Sequence, residues 1–252
     1  MIVVSGCTDI GCVREYNEDC ILVDSTRQLF AVADGMGGER GGAFASRIAV
    51  DSLGDYFSRA RTGGEEDWPF GYFHDLNLVQ NRMLTAIKTA NRAIRAKAAE
   101  DENLAGMGST IAAVYVIGTK AVVGNVGDSR VYLRRGDVLR QVTRDDSFVN
   151  QLLEAGAITS EQAATHPDRH KLLMAAGVDE NIRVQRPEEL ELTTGDRLLI
   201  CSDGIHGVLE DVVLDGALAT RQDPNATVRY LVSRARRQGG PDNISCIIVD
   251  YN

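Results

Sequence analysis

Short apolar, β-branched runs recur along the chain: IVVSG (2–6), CILVD (20–24), QLFAVAD (28–34), TIAAVYVI (110–117), AVVGNV (121–126), RVYLRR (130–135), DVLRQV (137–142), RLLICSD (197–203) and ISCIIVDY (244–251). Their length and composition predict β-strands. Longer stretches with a helical period lie between some of them. From Gly41 to Ala60 the apolar residues Ala45, Ile48, Ala49, Leu53, Tyr56, Phe57 and Ala60 fall at three- and four-residue steps, which predicts one buried helix face. Leu76, Val79, Met83, Ile87, Ala90 and Ile94 repeat the pattern within 76–98. Near the end, Pro224 opens a helix carrying Val228, Leu231, Val232 and Ala235, and Gly239-Gly240-Pro241 stops it.

The strand signals crowd together between Ala112 and Val142, with turn chemistry at Gly118-Thr119-Lys120 and at Arg134-Arg135-Gly136-Asp137. Hairpin joints of this kind predict that consecutive strands there are antiparallel. Helices flank the block and do not separate each strand pair, so the reading is α+β layering and not a doubly wound parallel sheet. The segment 145–186 is polar, with short helical pieces around Phe148–Ala155 and Glu161–Ala164, and reads as an excursion over the surface. The stretch Gly63-Gly64-Glu65-Glu66-Asp67 reads as an exposed loop and not a domain linker. The whole of 1–252 is expected to form one domain.

Carboxylates recur where these strands meet turns. Asp34 ends QLFAVAD and precedes Gly35; Asp203 ends RLLICSD and precedes Gly204. Asp242 stands in GGPDN before the last strand, Asp128 in NVGDSR between two strands, and Glu18 and Asp19 in NED before CILVD. Each alone is an ordinary turn residue. Together they suggest convergence on one pocket, where like charges repel unless cations neutralise them. All the donors are oxygens, so Mg²⁺ or Mn²⁺ suits them better than zinc. Two such ions about 3.5–4 Å apart are a known device for hydrolysing phosphate esters. Arg14, four residues before Glu18, can grip a phosphate in bidentate fashion or form an ion pair with a nearby carboxylate. The histidines His74, His166, His170 and His206 are scattered, and no Gly-x-Ser-x-Gly elbow or Walker loop is present.

Bulk properties narrow the setting. A chain of 252 residues, 44% hydrophobic and 25% charged, buries a core without metals or disulfides. A net charge of −9 argues against nucleic acid or an anionic membrane as the main partner. The densest basic run, SRARRQGG at 233–240, reads as a solvated helix face. Five cysteines without a Cys-x-x-Cys pair, a short uncharged N-terminus and no run of transmembrane length fit a reducing cytoplasm. Cys12, two residues from Arg14, reads as a packing thiol before a redox one.

Taken jointly, six segments resemble the metal-dependent Ser/Thr protein phosphatases of the PPM (type 2C) family, bacterial branch. They are TDIGCVREYNED (8–19), AVADGMGG (31–38), MGST (107–110), NVGDSRVYL (125–133), LLICSDG (198–204) and GGPDNIS (239–245), in family order across nearly the whole chain. The resemblance implies a four-layer αββα sandwich, two antiparallel sheets flanked by helices, with the metal centre at one end. It implies that Asp34 bridges two Mn²⁺ or Mg²⁺ ions and that the Gly35 carbonyl, Asp203 and Asp242 bind the first. Glu18 and Asp19 would hold the second through waters, and Asp128 a weaker third. Arg14 would hold the substrate phosphate while a water activated by the metals attacks phosphorus. The flap at 145–186 would influence substrate choice, with Asp146, Ser147, His166 and His206 as candidates. The implied partners are phosphorylated proteins and a cognate Ser/Thr kinase, with a monomer as the default. The chain departs from the family at Met36, where similar animal members carry His, and at Glu39, Asp146 and His206. The alternative reading is a regulatory module that binds phosphoproteins or a kinase with little turnover.

Overall fold

The computed structural model describes residues 1–59, 68–220 and 222–252, apart from the side-chain environments of 38 and 39. The 63–67 stretch and Ala60 therefore lie outside the described residues, as does the side chain of Glu39. The strands form two antiparallel sheets. The first contains β1 (Ile2–Asp9), β7 (Arg130–Arg135), β8 (Val138–Gln141), β10 (Asp196–Cys201) and β11 (Ile244–Tyr251) in the order β1-β11-β10-β7-β8. The second contains β2 (Asp19–Asp24), β3 (Leu29–Met36), β5 (Ile111–Ile117), β6 (Lys120–Val126) and β9 (Glu188–Glu191) in the order β2-β3-β5-β6-β9. The short β4 (Gly108–Ser109) pairs with the end of β3.

Side-chain alternation along the strands builds the layers. In β3, Phe30 and Val32 point into the space between the sheets, where they meet Val114, Val131, Leu198, Ile200, Ile247 and Val249. The intervening Leu29, Ala31 and Ala33 point outward, against Ala45, Ala49 and Leu53 of α1 (Gly38–Arg59) and Met83 and Ile87 of α2 (Leu78–Glu100). On the opposite sheet, Leu199, Cys201, Cys246 and Ile248 face α6 (Asp211–Ala219) and α7 (Pro224–Arg237). Both faces of each sheet are thus covered, which explains why the central strands read as apolar runs and not as alternating patterns. The periodic helix faces are the buried ones: Val228, Leu231, Val232 and Ala235 on α7 all lie inside. Among the described residues no helix is long and apolar enough to cross a membrane.

The two hairpin joints read within 112–142, at Gly118-Thr119-Lys120 and Arg134-Arg135-Gly136-Asp137, each join an antiparallel pair, β5 with β6 and β7 with β8, but the two pairs do not share a sheet. The chain changes sheet at Gly127-Asp128, where Gly127 adopts φ 93°. The segment 145–186 contains α3 (Phe148–Glu154) and α4 (Ser160–Ala164) and returns to the body through a bridge between Ala176 and Ser109.

Candidate metal centre

Backbone pairing puts the first carboxylates together. Asp19 begins β2 and stands opposite Asp34 near the end of β3. The backbone of Asp34 is fixed on both sides. Its N–H donates to Thr110 Oγ1 at 2.9 Å, and its carbonyl accepts from Thr110 N at 2.8 Å and Ser109 Oγ at 3.1 Å. Across the cleft, β10 ends at Cys201, and Ser202 starts the single turn α5 (Asp203–His206) that carries Asp203. Ser202 Oγ donates to Asp19 Oδ2 at 2.8 Å and accepts from Ser245 N at 3.1 Å. One hydroxyl therefore joins the two sheets behind the carboxylates.

Asn243 performs the same service for the loop before β2. Its Oδ1 accepts from Glu18 N at 2.8 Å, and its Nδ2 donates to the carbonyls of Ile10 (3.0 Å) and Tyr16 (2.9 Å). This holds Arg14 over Asp242, with Nη2 to Oδ2 at 2.8 Å. Glycine permits the tight packing. A Cβ on Gly35 would lie 1.9 Å from the Gly42 carbonyl oxygen, and one on Gly42 would lie 2.4 Å from Glu18 Oε1.

The result is a cleft of about 970 Å³ lined by Arg14, Glu18, Asp34, Asp128, Asp203 and Asp242 among others. Six of the predicted positions meet there, with Gly35 beside them, and Asp19 lies directly behind. Arg169, His170 and Leu172, from the segment between α4 and Ala176, also line it. Sequence reasoning missed them because nothing in a polar surface excursion marks which residues turn back. His170 Nδ1 stands 3.9 Å from Asp203 Oδ2.

The other predicted specificity residues face elsewhere. Asp146 accepts from Gly127 N at 3.1 Å and from Gln185 Nε2 at 2.7 Å, so its carboxylate ties the base of the excursion to the Asp128 loop. Ser147 is buried and caps α3. His166 packs edge-on against Phe148, with ring centroids 5.9 Å apart. His206 bonds the Asp128 carbonyl oxygen at 3.0 Å, and burial pushes its pKa well below that of a free imidazole. His206 is thus a neutral prop under the Asp128 loop and not a group facing substrate. Beside it, Arg130 grips Asp145 with Nε and Nη2 and donates to the Tyr132 hydroxyl at 2.8 Å.

The electrostatics match a site built for cations. Burial first, then the neighbouring carboxylates, raise Asp34 well above the usual carboxylate range. Burial raises Asp19 to about 7 against the lowering pull of the neighbouring Ser245 and Ser202 hydroxyls. Burial, reinforced by Asp203, raises Asp128 to about 7. Asp203 is raised by burial and by Asp242, and Glu18 by burial against the pull of Arg14. The buried oxygens Glu18 Oε1, Asp19 Oδ1 and Asp203 Oδ1 accept no hydrogen bond. Orphaned anionic acceptors of this kind are costly unless something positive meets them. The donor set therefore fits hard divalent cations. Among the described residues no group of three such side chains stands close enough together to hold an ion by itself.

These shifts set a pH dependence for metal-free protein. Asp19 and Asp128 titrate near 7 when folded and near about 4 when unfolded. Folding takes up protons between those values, so the stability they contribute is fully present below about pH 4 and lost as pH rises through about 7. The thermal midpoint of chelator-treated protein should fall from about pH 5 to about pH 7 relative to that of Asp19→Asn. Parallel curves for the two proteins over that window contradict the assignment.

Comparisons with known proteins place the chain among known sequences and folds. The family model described as protein phosphatase 2C matches residues 14–248. The serine/threonine phosphatase stp of Listeria innocua is 34% identical over 250 residues, covering 97% of this chain and 94% of that protein. The crystal structure of the Mycobacterium tuberculosis serine/threonine phosphatase PstP/Ppp superposes with a TM-score of 0.87 at 31% identity, over 100% of this chain and 99% of that one. The catalytic domain of PstP in complex with two manganese ions gives a TM-score of 0.84 at 29% identity, over 99% and 97% of the two chains.

Proposed function

This chain belongs to the protein phosphatase 2C family and is a protein serine/threonine phosphatase; from that premise we propose how its own residues divide the work. The buried, unpartnered oxygens of Glu18, Asp19 and Asp203 around an open cleft carry the proposal. Asp34, the Gly35 carbonyl, Asp203 and Asp242 would hold one divalent cation. Asp34, with Glu18 and Asp19 through waters, would hold the second, and Asp128 a weaker third. Two Mn²⁺ or Mg²⁺ ions, when bound, supply a water of lowered pKa as nucleophile and neutralise charge on the phosphate.

The protein's part is placement. Thr110 and Ser109 fix the Asp34 backbone, and Ser202 holds Asp19 across the sheet junction. Arg14 lies at the mouth of the cleft with its side chain about half exposed, so its guanidinium is free to exchange part of the Asp242 contact for two phosphate oxygens. Substrate enters from solvent as a phosphoserine or phosphothreonine on a protein. That these phosphoproteins are products of a cognate Ser/Thr kinase belongs to the proposal, and the phosphoproteome of a strain lacking the gene tests it.

The direct test is hydrolysis of p-nitrophenyl phosphate and a phosphothreonine peptide with Mn²⁺ and after chelation. Turnover should require the metal. Arg14→Ala should raise KM for both substrates about tenfold or more. Its stability should stay within about 1 kcal/mol of wild type, because an exposed ion pair contributes little. Calorimetric Mn²⁺ binding without metal-dependent turnover would leave the regulatory-module reading standing in its place.

A further inference from the structure

Away from the cleft, the basic run of α7 forms a groove of its own. Arg229, Val232, Ser233, Arg236 and Arg237 follow the i, i+3, i+4, i+7, i+8 spacing of a single helix face. That face and the thiols of Cys7 on β1 and Cys12 in the following loop line an open groove of about 480 Å³. Its floor is the outer edge of the buried Val232, with half-buried Cys7. Arg236 is anchored by Asp9 and the Gly11 carbonyl. Arg229 and Arg237 are exposed, and among the described residues neither has an acidic partner. Two unneutralised guanidinium groups over an apolar floor are conspicuous in a chain of net charge −9. The flanking strand β1 is also the edge of its sheet, so its outer backbone groups are open to an extended chain.

We propose that this groove is a docking site for an acidic, extended peptide segment of a protein partner. Carboxylates would meet Arg229 and Arg237, and an apolar side chain would cover Val232 and the thiols. The charge argument favours a short acidic peptide over nucleic acid or an anionic membrane, because a polyanion must also approach the acidic remainder of the molecule. The groove is coupled to the cleft by covalent chain. Cys12 N donates to the Gly240 carbonyl at 2.8 Å, and these two loops carry Arg14 and Asp242. A docked segment therefore lies beside the phosphate clamp without entering it.

The test uses the full chain and a fluorescein-labelled octapeptide rich in Glu and Asp, with its Gln/Asn counterpart as control. Fluorescence polarisation should show binding of the acidic peptide alone, weakened about tenfold between low and physiological-to-high salt. The double substitution Arg229→Glu/Arg237→Glu should weaken it at least tenfold while p-nitrophenyl phosphate turnover stays at the wild-type value. The peptide should also slow alkylation of Cys12 by iodoacetamide, read by mass spectrometry. Equal affinity for the neutral peptide, or no loss in the double variant, overturns the proposal. So does tighter binding of anionic lipid vesicles or a single-stranded oligonucleotide through the same arginines. The unchanged turnover on the small substrate separates this outcome from any failure of the catalytic reading.

Discussion

Asp34→Asn should lower p-nitrophenyl phosphate turnover by at least about a thousand-fold and, in the same preparation, raise the thermal midpoint of the metal-free protein. The two effects have one cause. Asp34 stands in register with Asp19, and its charge is disfavoured by burial and then by Asp19, Asp203, Asp128 and Asp242. A carboxylate whose pKa is raised on folding destabilises the folded state at neutral pH, and an isosteric neutral amide removes that repulsion. The same amide is a poor bridging ligand for two hard cations. Ordinary damage to a packed site lowers activity and midpoint together. Here turnover measured with Mn²⁺ should fall while the metal-free midpoint rises, and the gain in midpoint that Mn²⁺ gives wild type should shrink or vanish. Turnover within tenfold of wild type, or a lower midpoint for the metal-free variant, refutes the role given to Asp34.

How much of this was legible beforehand depends on the physical scale of each signal. Strand and helix positions follow from local periodicity, and Asp34-Gly35 and Asp203-Gly204 were visible because a carboxylate at an apolar strand end is unusual locally. Their convergence was an inference from repetition, strengthened by family resemblance, since no local property of β3 indicates that β10 ends nearby. The change of sheet between Val126 and Arg130 was not legible, because Gly127-Asp128 looks the same in a hairpin as in a crossover. β9, with the sequence EELE, has strong negative charge and weak strand propensity, and forms by pairing with β6. The hydroxyls of Ser202 and Ser245 and the amide of Asn243 are common residue types whose role exists only in three dimensions. Asp146 and His206, expected from the resemblance to influence substrate choice, both spend their polar atoms inside the fold, on Gly127, Gln185 and Asp128.

Gly204→Ala should be among the most damaging single methyl groups at the metal centre. A Cβ at this position would lie 1.9 Å from the Asn243 carbonyl oxygen and 3.2 Å from the Ile244 Cα. Both obstacles are backbone, and neither can rotate away. Relief requires the start of β11 or the turn carrying Asp203 to retreat. Asn243 also fastens the loop bearing Arg14 and the amide of Glu18, so displacement here spreads to most of the cleft. A backbone overlap of this kind costs about 3 kcal/mol or more, which for a chain of this size lowers the midpoint by roughly 6–12 °C. Turnover should fall with it, because Asp203 and Asp242 would no longer share one geometry. Gly216→Ala supplies the control: nothing lies within 4 Å of its Cβ, it sits inside α6, and it should stabilise by about 0.5–1 kcal/mol. A Gly204→Ala midpoint within about 2 °C of wild type would mean that β11 can retreat freely. The close approach of these two backbones would then not be what holds Asp203 beside Asp242.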